Sequence, residues 1–242
     1  MYVIDHKGYC PICEGNVRFT SKHQWLRDNL FCSECKSIPR ERALMHVIKL
    51  YHPKYKLLKI HESSPGNRGV SPKLKNECIN YSFSHFHPNV APGEIEPNSK
   101  SRCENLEELT FDNDSFDLFI SQDVMEHIFD PVKAFREIAR VLKPGGAHIF
   151  TVPMVNKNAP TKPIASRDES GAITYHQEAE YHGNPINNKG SLVTMHWGYD
   201  IAEFIHQNAA TPTTIIVLDN IDMGIRAEYI EVLLSRKHSA KV

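Results

Sequence analysis

The stretch FDLFISQDVMEHIFDPVKAFREIARVLKPGGAHIFTVP, residues 116–153, decides the fold. Phe116–Ser121 is a short apolar run, as expected of a buried strand. Asp130 stands where a side chain caps a helix. Pro131 takes the first helical position, where a missing N–H costs nothing. Val132, Phe135, Ile138, Ala139 and Leu142 then recur at helical spacing. Pro144-Gly145-Gly146 is expected to end this helix, because glycine takes positive φ freely. Ala147–Pro153 follows as a second buried strand.

The alternation continues outward. Upstream lie a strand at Leu57–Glu62, the loop HESSPGNRG at 61–69, a helix at Ser71–Glu77 and a strand at Cys78–Phe83. Downstream lie a helix at Tyr199–Asn208, with Ile201, Phe204 and Ile205 on one face, and strands at Thr213–Leu218 and Glu228–Ser235. Strands alternating with helices predict a Rossmann-like α/β fold: a doubly wound, mostly parallel, seven-stranded sheet with an antiparallel edge hairpin. Ligands of such sheets bind beyond the carboxyl ends of the strands, here after Ile60, Phe83 and Ile120.

The first forty residues follow a different rule. Cys10-Pro11-Ile12-Cys13 and Cys32-Ser33-Glu34-Cys35 have the spacing of a four-thiolate zinc site. Val17, Phe19, Trp25, Leu30 and Phe31 are available to pack around it. A unit this small needs the metal to fold. Four thiolates leave no open coordination position, so Cys10, Cys13, Cys32 and Cys35 make a structural rather than a catalytic site. Cys78 and Cys103 stand alone as small buried hydrophobes. Pro39–Ile48 is a helix with Leu44, Val47, Ile48 and Tyr51 on its buried face, ended at His52-Pro53. The expected division is a zinc ribbon at 1–38, a linking helix at 39–54 and an α/β domain at 55–242 with an insertion at about 154–198.

A formal net charge of −1 over 242 residues gives no basic stripe for nucleic acid and no attraction to an acidic membrane. No apolar run reaches the length of a membrane span. MYVIDHKGYC lacks a basic region followed by an apolar one, which leads to the expectation of a cytoplasmic protein.

Residues 116–153 resemble the second half of a class I S-adenosylmethionine-dependent methyltransferase of the type 11 kind, in the sequence of "EH", "DP", "RVLKPGG" and a strand ending in proline. LEELTFDNDSFD, residues 106–117, extends the likeness upstream. The resemblance implies S-adenosylmethionine as cofactor and in-line methyl transfer to a small-molecule or glycan acceptor. An RNA acceptor held by the ribbon is the less favoured alternative. A non-catalytic binding module with a degenerate cofactor loop is another.

The resemblance also implies a site. His61, Ser63 and Pro65 stand where such enzymes carry glycines, so the expected contacts of the first loop come from His61, Glu62, Ser63 and Gly66. His85 stands where an acidic residue binds the ribose. Glu104, Asn105 and Leu106 fall where the adenine is held. Gln122 and Asp123 line the site after the third strand. The insertion is expected to shape the acceptor pocket. His182, in EYHGNP, is the first candidate base, and His127 is the second catalytic candidate. A metal site from His176, Glu178, Glu180 and His182 fits no standard spacing.

Overall fold

The computed structural model describes residues 3–184 and 190–239. Residues 185–189 of the insertion, with the Pro185 of EYHGNP, lie outside the described residues, as do 1–2 and 240–242.

β1 (Ile4–Cys10) and β2 (Gly15–Ser21) form an antiparallel hairpin, and β3 (Phe31–Cys32) adds to β2. Each Cys-x-x-Cys closes a turn. Glu14 and Lys36, the residues after Cys13 and Cys35, have positive φ and donate their N–H to the carbonyls of Cys10 and Cys32. Val17, Phe19 and Leu30 are buried as expected, but Trp25 is 45% exposed because its indole N–H is satisfied outside, by Asp28.

α1 (Pro39–Tyr51) starts at Pro39, and Glu41 accepts the N–H of Ile38 to complete the cap. Ala43, Leu44, Met45, Val47 and Ile48 are buried, whereas Tyr51 is exposed. β4 (Lys59–Ser63), α2 (Val70–Glu77), β5 (Asn80–His85), β6 (Arg102–Cys103), β7 (Phe116–Gln122), α3 (Pro131–Val141) and β8 (Leu142–Thr151) follow. The Asp130 side chain accepts the N–H of Lys133, the cap read from the sequence. Helix α3, however, ends at Val141, and Pro144-Gly145-Gly146 belongs to β8. The reason is long-range: Gly145 and Gly146 exchange backbone hydrogen bonds with Lys237.

The insertion is a set of short ladders rather than a bare loop. β9 (Lys162–Pro163) pairs with β14 (Met195–His196), β10 (Ala165–Arg167) with β11 (Ile173–Tyr175), and β12 (Tyr181–His182) with β13 (Ser191–Leu192). α4 (Ile201–Ala209), β15 (Thr213–Ile216) and β16 (Val232–Arg236) complete the chain. β16 starts four residues later than expected, after Tyr229 takes a left-handed conformation (φ 54°).

The seven-stranded sheet runs β15-β16-β8-β7-β4-β5-β6, with β4 to β8 parallel and β16 antiparallel to both neighbours. The expected architecture is therefore present. Strand order reverses at β4, which places the crevice above the ends of β4 and β7. One face packs on α1, α2 and the ribbon, where Cys10, Phe19 and Leu30 share a core with Leu44, Ile60 and Leu118. The other packs Phe119, Phe150 and Trp197 against Phe135 and Ile205 of α3 and α4. Among the described residues no helix is long and apolar enough to cross a membrane.

Candidate active site

Alternation along β4 sends Ile60 and Glu62 to one face and His61 to the other. The His61 ring lies wholly buried, 4.7–5.2 Å from the rings of Phe111, Phe116 and Phe119. Its two nitrogens share hydrogen bonds with the hydroxyls of Ser82 (3.0 Å) and Ser84 (2.9 Å). Burial pushes its pKa down to about 3, so it is neutral. His61 therefore presents only backbone to the loop, which is what a glycine there would present. Glu62 is also fully buried, and burial pushes its carboxyl up. It accepts hydrogen bonds from Ser71 (2.6 Å), Tyr81 (2.7 Å) and Gln122 (2.9 Å). Glu62 and Gln122 thus tie β4 to β7 beneath the loop, and Glu62 has no free oxygen to turn outward.

The loop itself is built from backbone. Ser64 has positive φ and donates its N–H to Ser84 (2.8 Å), while Gly66 donates its N–H to Ser71 (3.1 Å). A side chain at Gly66 would meet open space. Gly69 is different. Its φ of +66° and ψ of −123° suit only glycine, and a Cβ would lie 2.4 Å from a Glu41 oxygen. That Glu41 also pairs with Arg68 (3.0 Å). Gly69→Ala is expected to destabilise the protein by about 1–3 kcal/mol, read as a lower urea midpoint. An unchanged midpoint would show that the loop's geometry does not depend on this position.

At the end of β5, His85 is half-buried beside Phe83 and His87, and burial, aided by His87, lowers its pKa to about 4. Its Nδ1 is buried and has no hydrogen-bond partner among the described residues. Glu104 is committed elsewhere, accepting from Arg102 (2.6 Å) and from the hydroxyl (2.6 Å) and N–H (2.9 Å) of Thr110. Asn105 shapes its turn by accepting the N–H of Glu107 (3.0 Å), and Leu106 is an apolar wall, 5% exposed.

Asp123, at the end of β7, is held by parts of the chain that the sequence reading left out of the site. Arg27 of the ribbon donates to it (2.6 Å), Arg40 of α1 pairs with it (3.2 Å) and the Thr151 hydroxyl donates to it (3.0 Å). Burial opposes its charge, but the two guanidinium groups outweigh burial and hold its carboxyl well below the usual carboxylate range. Arg27 also donates to the Tyr229 carbonyl (3.0 Å). Nothing local in the sequence marks Arg27 or Arg40, because their partner is far along the chain.

Beyond Asp123, the turn Met125–His127 meets the insertion. Thr194 fixes it by donating its N–H to the Glu126 carbonyl (2.7 Å) and its hydroxyl to that of Ile128 (2.6 Å). The rings of His127 and His182 stand 5.4 Å apart, nearly perpendicular, over the buried Glu126 carboxyl. Glu180 bridges His182 (3.0 Å) and His196 (2.9 Å). Glu126 and Glu180 together raise the His182 pKa. His176 is apart from this group, bonded to Ser166 on the exposed ladder. A cleft of about 230 Å³, lined by Lys157, Tyr199, Val217, Tyr229 and Glu231, opens nearby at the ends of β15 and β16.

In the ribbon, the Cys10–Cys35 and Cys13–Cys32 sulfurs are 3.9 and 3.7 Å apart, and all four lie within 4.8 Å of one another. Four sulfurs at about 2.3 Å from a zinc ion form a tetrahedron with edges of about 3.8 Å; a disulfide needs about 2.05 Å. The four thiols are free, and their arrangement fits the ion.

Residues 76–150 match the methyltransferase domain family. The chain is 36% identical over 80 residues to a sarcosine/dimethylglycine N-methyltransferase of Aphanothece halophytica, covering 31% of this chain and 29% of that protein. It is 33% identical over 61 residues to a ubiquinone biosynthesis O-methyltransferase of Coxiella burnetii, covering 25% of each. The chain thus spans under a third of the length of these curated relatives. Among solved structures, an S-adenosylmethionine-dependent methyltransferase of Mesorhizobium loti aligns with a TM-score of 0.50 at 17% identity, over 81% of this chain and 98% of that one. A chain from the complex of the Haloferax volcanii Trm112 methyltransferase activator with a methyltransferase aligns at 0.51 and 15% identity, over 84% and 92%. Residues 76–150 thus match a methyltransferase domain, and the whole sheet has the fold of these two solved structures. The family match begins after the first loop.

Proposed function

We propose that this chain is an S-adenosylmethionine-dependent methyltransferase acting on a small-molecule oxygen or nitrogen acceptor. We further propose that Cys10, Cys13, Cys32 and Cys35 hold a structural zinc ion. The reading takes residues 1–38 as ribbon, 39–54 as linking helix and 55–242 as the methyltransferase domain. A cytoplasmic setting suits it, because thiols stay reduced there. The relatives named above, an amine and a ubiquinone-pathway methyltransferase, support a small molecule; nothing supports a glycan.

The observation that carries this reading is the carboxyl edge of β4 and β5. His61 is turned into the core, the space above Gly66 is open, and the His85 Nδ1 is buried without a partner. The backbone of Ser63 and Gly66 would receive the methionine part of the cofactor, His85 the ribose, and Asn105 and Leu106 the adenine. Gln122 would close the floor. When bound, the cofactor supplies an electrophilic sulfonium methyl group. The protein's share is to orient the acceptor, exclude water and manage the acceptor's proton. With no ion bound between them, His127 and His182 are placed for that last task, at the insertion side of the edge.

Calorimetry with S-adenosylmethionine and S-adenosylhomocysteine tests the reading. Both are expected to bind with dissociation constants below about 1 mM, the upper end of ordinary substrate affinities. His85→Ala is expected to weaken both. No heat from either at millimolar concentration would leave a zinc-stabilised binding module instead.

A further inference from the structure

We propose that Glu126, His127 and His182 form a second metal site, for a divalent first-row transition ion such as zinc. One oxygen and two ring nitrogens of these residues lie within 4.8 Å of one another. Glu126 is 1% exposed, and neither of its carboxylate oxygens has a hydrogen-bond partner among the described residues. A buried carboxylate without donors is costly, and native proteins rarely leave one so. Its Oε1 lies 3.7 Å from His127 Nε2 and 3.8 Å from His182 Nδ1. These gaps are too long for hydrogen bonds. They are short enough for one ion, at about 2.0–2.2 Å from each ligand atom, to reach both sides.

The other nitrogen of each ring is already occupied. His127 Nδ1 lies 2.8 Å from the Leu192 carbonyl, and His182 Nε2 lies 3.0 Å from the Glu180 carboxylate. Each ring then donates a proton outward and turns its bare nitrogen toward Glu126. This is how metal-binding histidines are oriented. Glu180 is itself steadied by His196 at 2.9 Å. Imidazole and carboxylate ligands favour zinc and its neighbours over magnesium or calcium, which prefer oxygen alone. The nearby Arg27 charge is taken up by Asp123, so it does not oppose a cation at full strength. Three protein ligands leave an open position, unlike the closed four-thiolate ribbon. The site also joins the turn after β7 to the insertion, through residues 126 and 182.

The site was missed because its ligands share no motif: two are adjacent and the third comes from the insertion. The metal set weighed from sequence, His176, Glu178, Glu180 and His182, is not the group the fold assembles. His176 lies apart, and Glu180 supports a ligand rather than serving as one.

The test counts metal, not methyl transfer, so its outcome is independent of the proposed activity. The full chain is equilibrated with zinc at about tenfold excess over protein, freed of unbound ion and assayed by mass spectrometry. The readout is the difference between wild type and variant, which is independent of the ribbon. The His127→Gln/His182→Gln double variant is expected to hold one zinc per chain fewer than wild type. Glu126→Gln, nearly isosteric, gives a second measure and is expected to show the same loss. His176→Gln is expected to lose none. Equal zinc content in wild type and Glu126→Gln, with both folded by circular dichroism, would overturn the proposal. So would a loss of the same size in His176→Gln.

Discussion

Cys32→Ser is expected to abolish the cooperative fold at ordinary temperatures or to lower the thermal midpoint by about 20 °C or more. A structural zinc ion contributes about 10–16 kcal/mol to folding in small zinc units. A whole domain has only about 5–15 kcal/mol of net stability, and a chain of this size loses about 2–4 °C per kcal/mol. The effect should reach the α/β sheet because the ribbon is built into its core. Arg42 of α1 is fully buried and donates to the Leu30 carbonyl of the ribbon (2.8 Å) and the Gly224 carbonyl near the C-terminal hairpin (2.7 Å), as well as to that of Ser37. A Cβ on Gly8 of β1 would lie 2.2 Å from the Asp222 carbonyl, so the two segments touch directly. Zinc release and loss of the far-ultraviolet dichroism signal should therefore coincide in one transition. A variant whose main transition stays in place would show instead that the ribbon folds independently and that the shared core is incidental.

Asp123→Asn is expected to cost about 3–5 kcal/mol at neutral pH, the usual penalty for removing one partner of a buried ion pair. Asparagine tolerates the positive φ of 50° at this position, so the change isolates the charge. Arg27 and Arg40 would be left facing each other without their shared counter-ion, and Arg27 would keep the more distant Asp28 at 3.6 Å. The pH dependence has a definite sign. The native carboxyl is held well below its unfolded value of about 3.9. Its contribution is therefore complete above that value and is lost as pH falls toward the native pKa. The stability gap between wild type and Asp123→Asn should be widest near pH 7 and should shrink below about pH 4. Urea unfolding at pH 7 and pH 3.5 measures both. A gap that is absent at pH 7, or that grows on acidification, would mean that the pair is not the dominant contact of Asp123. The same variant should weaken S-adenosylmethionine binding, because Asp123 follows directly on Gln122 at the crevice.

Much of the fold was legible because its signals are local. The Asp130 cap, Pro131 and the spacing of Phe135 and Ile138 lie within one helix, and the structure uses them as read. The two Cys-x-x-Cys turns are equally local, and their sulfurs converge. Errors fell where a distant segment overrides a local preference. Pro144-Gly145-Gly146 looks like a helix stop, but pairing with Lys237 draws it into β8. Tyr51 lies on the expected face of α1 yet is exposed at the end of the helix.

The site was less legible, for a geometric reason. Which side of a strand His61 occupies follows from alternation, but what lies on that side does not. Only the packed sheet shows Phe111, Phe116 and Phe119 around the ring. Glu62 and Glu104 look like ligands in a list of polar residues, and the fold uses both as internal braces. Arg27 reaches Asp123 across 96 positions, and the His127–Leu192 contact that orients the histidine spans 65.

The sequence by itself determined the alternating strands and helices, the parallel sheet and the four-cysteine ribbon. Each of these follows from periodicity or spacing within a few turns of chain. Tertiary structure alone decided that the first loop is open despite His61, that the ribbon clamps Asp123, and that Glu126 meets His127 and His182. The physical reason is that burial and ion pairing depend on which distant segments meet, and local patterns do not encode that.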